Sequence, residues 1–124
     1  RAIAYRWKTQ FNENSKIAAF HHSFSEMNHN EIAGYQTMSK NNFFAVIIRD
    51  KDDNERIKKR MDITKDIIST KIEVEEVHTK GEHLLSRIFS AVYYGDFVSY
   101  YLAIANKVDP TPVTVIENLK KKLR

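Results

Sequence analysis

The 124-residue chain contains no cysteine, three glycines and two prolines. Without cysteine there is no disulfide, no thiolate metal site and no cysteine nucleophile. The same absence fits a cytoplasmic protein. Gly34, Gly81 and Gly95 are scattered, and no strand–glycine-rich loop–helix unit is available to cradle a phosphate on backbone N–H groups. Both prolines fall in Asp109-Pro110-Thr111-Pro112, which breaks the chain. No internal repeat or low-complexity segment is present. Neither sign of charge dominates: the formal net charge is +4. Much of it sits in Lys120, Lys121, Lys122 and Arg124, which reads as a solvated helix end favourable to the helix dipole and not as a nucleic-acid surface. Arg1 is not an initiator methionine, and no charged-then-apolar leader precedes the predicted elements. The length supports one domain, residues 1–124.

Periodicity supplies the elements. Ile3, Trp7 and Phe11 share one face of a predicted helix from Ala2 to about Phe11, which should end near Glu13 because Asn12 and Asn14 are poor interior residues. A second helix is expected from about Lys16 to Glu26, burying Ile17, Phe20 and Phe24. Asn28–Tyr35 should be an irregular connection ending near Gly34. The apolar run Phe43–Ile48 suits a strand buried on both faces. Asp52 or Asp53 should cap a helix running to about Ser69, with Ile57, Met61, Thr64 and Ile68 inward. Lys71–His78 alternates and reads as a second strand. A helix over His83–Asn106 is apolar on nearly every side, so it must be central or lie in an interface. Arg87 and Asp96 inside it exclude a membrane span. Thr111 and Pro112 should form the N-cap and first turn of a last helix. Helix–strand–helix–strand–helix order predicts α/β with a parallel sheet.

Two polar clusters interrupt this patterning. Asn12-Glu13-Asn14-Ser15-Lys16 sets a carboxylate between two amides, and Asn28-His29-Asn30-Glu31-Ile32 sets a histidine between two amides sixteen residues later. Consecutive polar residues fit neither burial period, and such side chains are what a polar pocket needs. Taken alone they predict a site with one acid/base carboxylate and one imidazole. Adjacent His21 and His22 point in different directions on a helix, and neither they nor His29 follow the spacing of a helical zinc motif, so no metal is expected. In the last helix, Ile116, Leu119 and Leu123 form a stripe, and Lys120 lies roughly 40° from Ile116 at its edge. Lys120 can therefore lean inward where Lys121 and Lys122 cannot.

The run AYRWKTQFNENSK, followed by NHNEI, VYYGDFVSYYLAI, DPTPV and a helix ending LKKKLR, resembles the C-terminal half of the bifunctional phosphoglucose/phosphomannose isomerases of archaea and bacteria. That family resemblance implies a sugar-isomerase (SIS) domain, a flavodoxin-like three-layer α/β fold with a parallel sheet. It also implies an incomplete half of a two-domain enzyme, with a second SIS domain in front. The implied reaction is aldose–ketose isomerisation of hexose 6-phosphates through a cis-enediol, without metal or cofactor. Glu13 is implied as the base that moves the proton, and His29 as the ring-opening acid/base, contributed to the neighbouring subunit of a homodimer. Lys120 (or Lys121, which the resemblance does not separate) is implied to assist ring opening and stabilise charge. Thr111 corresponds to a threonine near C1 and C2 of the substrate, where a small residue leaves room for either C2 epimer. Asn12, Asn14, Asn30 and Glu31 are expected around these groups, with Asn30 and Glu31 orienting His29. The family's phosphate-binding loop and enediolate-stabilising arginine belong to the preceding domain. From a different functional class, a SIS fold can also serve as a non-catalytic module for sugar-phosphate sensing or dimerisation.

Overall fold

The structure is a computed structural model that describes residues 1–39 and 42–124. Its elements are α1 (Ala2–Glu13), a single turn α2 (Phe24–Met27), a 3-10 helix (Glu31–Thr37), β1 (Phe44–Arg49), α3 (Glu55–Ile68), β2 (Glu73–His78), α4 (Leu84–Ala105) and α5 (Thr114–Lys122). The class is the expected one, α/β with a parallel sheet. β1 and β2 pair in parallel from Phe44 opposite Glu73 to Arg49 opposite His78, and α3 is the crossover that a parallel pair requires.

The inner face of α3 packs on this strand pair. Met61, Thr64 and Ile68 are buried, and Ile68 joins Met27 and Ile72 in a core completed by Ile32, Tyr35, Met38, Ala45 and Val74. The cap of α3 is Asn54, whose side chain accepts from the Arg56 N–H, and neither Asp52 nor Asp53. The loop uses its own carboxylates instead: Asp53 Oδ2 accepts from the Asp50 N–H at 2.8 Å. β1 is less buried than its apolar sequence predicts. Ile47 is enclosed, but Phe44 is 57% exposed, because β1 pairs with β2 alone in the described sheet.

Beside this unit lies the α1–α4 pair. Its seam on α4 is a row of small residues, Ala91, Gly95, Ser99 and Ala103, all buried with Arg87 at the head of the row. The four-residue spacing puts them on one ridge. Trp7, 4% exposed, lies over this row and donates its indole N–H to the Ala91 carbonyl at 2.9 Å. The aromatic residues of α4, including Phe89, Tyr93, Phe97 and Tyr101, remain exposed. The predicted all-round apolar helix therefore buries its small side and presents its aromatic side outward.

Four expectations fail. The helix over Lys16–Glu26 is absent, and Phe20 is 77% exposed. Lys16 takes a left-handed φ of 58°, and the Ile17 carbonyl is taken by Asn12 Nδ2 at 2.7 Å, so no helix can propagate from there. Of Asn28–Tyr35 only the turn at residues 28–30 is irregular, since the 3-10 helix begins at Glu31 and runs through Gly34. Thr111 does not cap the last helix. Val113 stands at its N-cap, while the Thr111 N–H donates to Asp109 Oδ1 at 2.9 Å. α5 buries none of its residues, so Ile116, Leu119 and Leu123 are exposed and Lys120 does not lean into the body of the chain.

The two units are joined by a charged cluster. Arg87, 4% exposed, donates to Asp50 Oδ2 at 2.9 Å and to the Glu82 carbonyl at 2.8 Å, and it also pairs with Asp52. The Thr79 hydroxyl donates to Asp50 as well. One carboxylate thus ties the end of β1 to the residue after β2 and to the first turns of α4. A charge this deep is tolerated because its N–H groups find acceptors.

Two predictions follow from this packing. A Cβ on Gly95 would lie 2.3 Å from Trp7 Nε1 and 2.4 Å from its Cε2. Alanine there gains about 1 kcal/mol of helix propensity but overpacks the seam by about 1–3 kcal/mol and displaces an indole hydrogen bond worth about 1 kcal/mol. Gly95→Ala should lower the Tm. A Tm at or above that of the unsubstituted protein would show that α1 retreats freely. The second prediction concerns Asp50, whose carboxyl is held below its ordinary value of 3.8 by the Thr79 hydroxyl, the Asp52 N–H and Arg87, against the upward push of burial. A depressed folded pKa contributes stability that is full above the unfolded value and is lost as pH falls through the folded one. Asp50→Asn should therefore lower the urea midpoint at about pH 7, and the deficit should shrink towards about pH 3. A deficit independent of pH would mean that the Asp50 charge contributes nothing.

Candidate functional site

Glu13 is the last residue of α1, exposed to solvent. Its carboxylate has no hydrogen-bond or ion-pair partner among the described residues. The amides beside it do not bind that carboxylate, as a pocketed glutamate would require, but brace the helix end. Asn12 Nδ2 holds the Ile17 carbonyl. Asn14 Nδ2 donates to Ser99 Oγ at 3.0 Å, and buried Ser15 donates its hydroxyl to the Ser99 carbonyl at 2.7 Å. The polar cluster around Glu13 therefore anchors the carboxyl end of α1 to α4 and leaves the carboxylate free.

Lys16 completes the arrangement. Its left-handed backbone costs about 1–2 kcal/mol for a residue with a Cβ and turns the ammonium back under the helix. There it donates to the Glu13 carbonyl, to Pro110 O at 3.3 Å and to Pro112 O at 2.7 Å. The Glu13 end of α1 is thereby joined to the segment that carries Thr111. That segment leaves α4 through a second left-handed lysine, Lys107 (φ 56°). Val108 N donates to Ala103 O at 3.0 Å and Lys107 N to Ile104 O at 2.9 Å, the two bonds of a Schellman C-cap. Sequence patterning passed over Lys16, because a lone lysine after a helix carries no periodic or motif signal.

His29 is elsewhere. It is exposed, and its imidazole has no bonded partner among the described residues. The preceding residue anchors it: Asn28 Nδ2 donates to Thr64 Oγ1 at 2.8 Å, and Arg60 Nη1 donates to Asn28 Oδ1 at 3.2 Å. This fixes the Asn28–Ile32 cluster on α3. Asn30 and Glu31 do not orient His29 as expected. Asn30 donates to Glu26 at 3.2 Å, and Glu31 pairs with His22 Nδ1 at 2.8 Å and accepts from the Tyr35 hydroxyl at 3.5 Å. Burial, then the Glu31 charge, pushes the Tyr35 phenol up. His21 stacks against His22 and meets the edge of Tyr5. Among the described residues no group of three or more His, Cys, Asp or Glu side chains could hold a metal ion, and no helix is long and apolar enough to cross a membrane.

Glu13 and Thr111 are thus brought to neighbouring segments, while His29 lies on the α3 side and Lys120 on an unpacked helix. Two clefts lie apart from these residues. One of about 340 Å³ lies between α3 and Asn28–Ile32, with Arg56, Lys59 and Arg60 on its wall. A broader hollow of about 840 Å³ runs beside Arg6, Phe89, Tyr93 and Asp96. Neither contains Glu13, His29, Thr111 or Lys120. Neither of these two clefts brings the four groups together.

Comparison with known proteins bears on this arrangement. Residues 1–123 match the family described as the bacterial phospho-glucose isomerase C-terminal SIS domain. Similar curated proteins are bifunctional phosphoglucose/phosphomannose isomerases. That of Caldicellulosiruptor bescii is 46% identical over 98% of this chain and 37% of its own length. That of Thermoplasma acidophilum is 42% identical over 99% of this chain and 39% of its own length. That of Aquifex aeolicus is 40% identical over 98% of this chain and 39% of its own length. The chain spans about two fifths of the length of these relatives.

Proposed function

This chain belongs to the family of the bacterial phospho-glucose isomerase C-terminal SIS domain, and on that footing we propose that it supplies the C-terminal part of the active site of a hexose 6-phosphate isomerase. The substrates are glucose 6-phosphate and mannose 6-phosphate, interconverted with fructose 6-phosphate through a cis-enediol. Glu13 takes the proton from one of the two adjacent carbons and returns it to the other. His29 of a second copy protonates the ring oxygen during opening, Lys120 stabilises developing negative charge, and Thr111 borders C1 and C2. The phosphate-binding loop comes from a preceding SIS domain. The chemistry needs no metal or cofactor, because one base able to reach both carbons and donors for the oxyanion suffice.

The observation that carries this reading is the free carboxylate of Glu13 on a braced helix end, stapled by Lys16 to the segment of Thr111. A general base needs lone pairs available and a fixed point of attachment, and here the carboxylate is open while the helix end that carries it is held. Neither cleft is lined by both Glu13 and His29, which fits a histidine that serves a neighbouring copy. The exposed aromatic side of α4 supports a partner surface of the amphipathic kind enriched at interfaces.

The test uses the full-length protein. Glu13→Gln keeps size and hydrogen bonding but cannot accept the proton, so kcat should fall about 10²–10⁴-fold with little change in substrate affinity. Unchanged turnover on fructose 6-phosphate would remove Glu13 from the mechanism. His29→Ala should slow conversion of closed-ring substrate while sparing deuterium exchange into an open-chain analogue. Equal losses on both substrates would make the histidine structural. Mixing these two inactive variants should restore activity, because a hybrid dimer then holds one intact site. Random exchange of subunits returns up to about a quarter of the original rate. A mixture that stays inactive would place Glu13 and His29 of one site in the same chain. A non-catalytic sensor would bind the sugar phosphate and turn none over.

A further inference from the structure

We infer that Lys16 is a positioning residue for this site, an ammonium staple that sets the spacing between the Glu13 base and the Thr111 segment; the inference rests on the function proposed above. An ammonium group has three N–H donors, and the three acceptors found for this one are the carbonyls of Glu13, Pro110 and Pro112. All of its donors are engaged by the backbone. Lys16 therefore holds no proton ready for a substrate and acts through the geometry it imposes.

What it imposes is specific. Pro110 and Pro112 flank Thr111, so the staple grips the chain on both sides of that residue. Its third contact is the carbonyl of Glu13 itself, one of the carbonyls that the end of α1 leaves without an intrahelical donor. The positive charge also sits at a helix C-terminus, where the macrodipole favours it. Among the described residues, backbone bonds at Val108 and Val113 hold the two ends of the 108–113 segment. The Asp109 carboxylate organises it internally, and α5 beyond it is exposed along its apolar stripe. The left-handed φ of Lys16 reinforces the assignment, since glycine would adopt that backbone without strain but would carry no ammonium. A strained conformation retained at a functional position is a recognised signature of a geometric requirement.

The experiment compares Lys16→Gly, Lys16→Met and Lys16→Arg in the full-length protein. Glycine relieves the backbone strain, so it removes the staple without threatening the fold and should keep the Tm. Its kcat should fall about tenfold to a hundredfold, the effect of misplacing a reacting group by about 1 Å. KM should change far less, and Met should behave like Gly. Arg, with its five donors, should recover most of the rate. The limbs of the pH–rate profile should stay where they are in every variant, and hydrogen exchange at residues 108–113 should accelerate in Gly and Met. A Lys16→Gly protein with full kcat and its original Tm overturns the inference, and so does loss of a limb of the pH profile, which would make Lys16 a proton carrier. If the unsubstituted protein proves to lack isomerase activity, the proposed function falls on its own. The exchange data then decide the staple, and unchanged protection of residues 108–113 in Lys16→Gly overturns it.

Discussion

The close approach of α1 to α4 is the contact on which the rest depends. It exists because Gly95 has no Cβ where the Trp7 indole lies, and because Ala91, Ser99 and Ala103 continue the same shallow row. Dispersion across such a seam is small per atom pair and large in sum. The seam also has a direction. Arg6 and Gln10 on α1 both bond to Asp96, and Asn14 and Ser15 both bond to Ser99. The last of these contacts fall beside Glu13, so the packing that buries Trp7 also fixes the end of the helix that presents the carboxylate.

From that seam the order propagates outward through two cations used in different ways. Arg87 is buried and planar, and its fork reaches Asp50, Asp52 and the Glu82 carbonyl at once, a role suited to a guanidinium. It registers α4 against the carboxyl ends of the parallel strands, the edge where open α/β sheets place their ligands. Lys16 is a compact point charge at the opposite end of the helix pair and gathers carbonyls instead of carboxylates. The first cation joins the sheet to the helices, and the second joins the helix end to the loop of Thr111. Beyond that loop, α5 buries none of its residues.

An unpacked α5 and an outward-facing row of aromatics on α4 share a physical meaning. Each is an apolar surface that this chain alone does not cover, on a chain spanning about two fifths of its relatives. The hydrophobic effect scales with area removed from water, so these faces gain stability only by contact with further protein. The proposed site has the same character. Glu13, His29 and Lys120 are all exposed in this chain.

The sequence by itself determined the class of the fold and the identity of the polar clusters. Period-two and period-3.6 patterning located β2, α3 and α4 closely, because burial of one face is a local requirement written residue by residue. The parallel pairing followed from element order. Asn12–Lys16 and Asn28–Ile32 stood out because their polarity fits no burial period. Only the tertiary structure decided what those polar groups do. Asn14 turns to Ser99, Asn28 to Thr64, Glu31 to His22, and Lys16 to carbonyls more than ninety residues away. A hydrogen bond has no periodicity along the chain, and its partner is chosen by proximity after folding. The missing helix after Lys16 and the failed cap at Thr111 have nearer causes, since Asn12 takes the Ile17 carbonyl and Asp109 takes the Thr111 N–H, and burial periodicity does not record such side-chain–backbone competition.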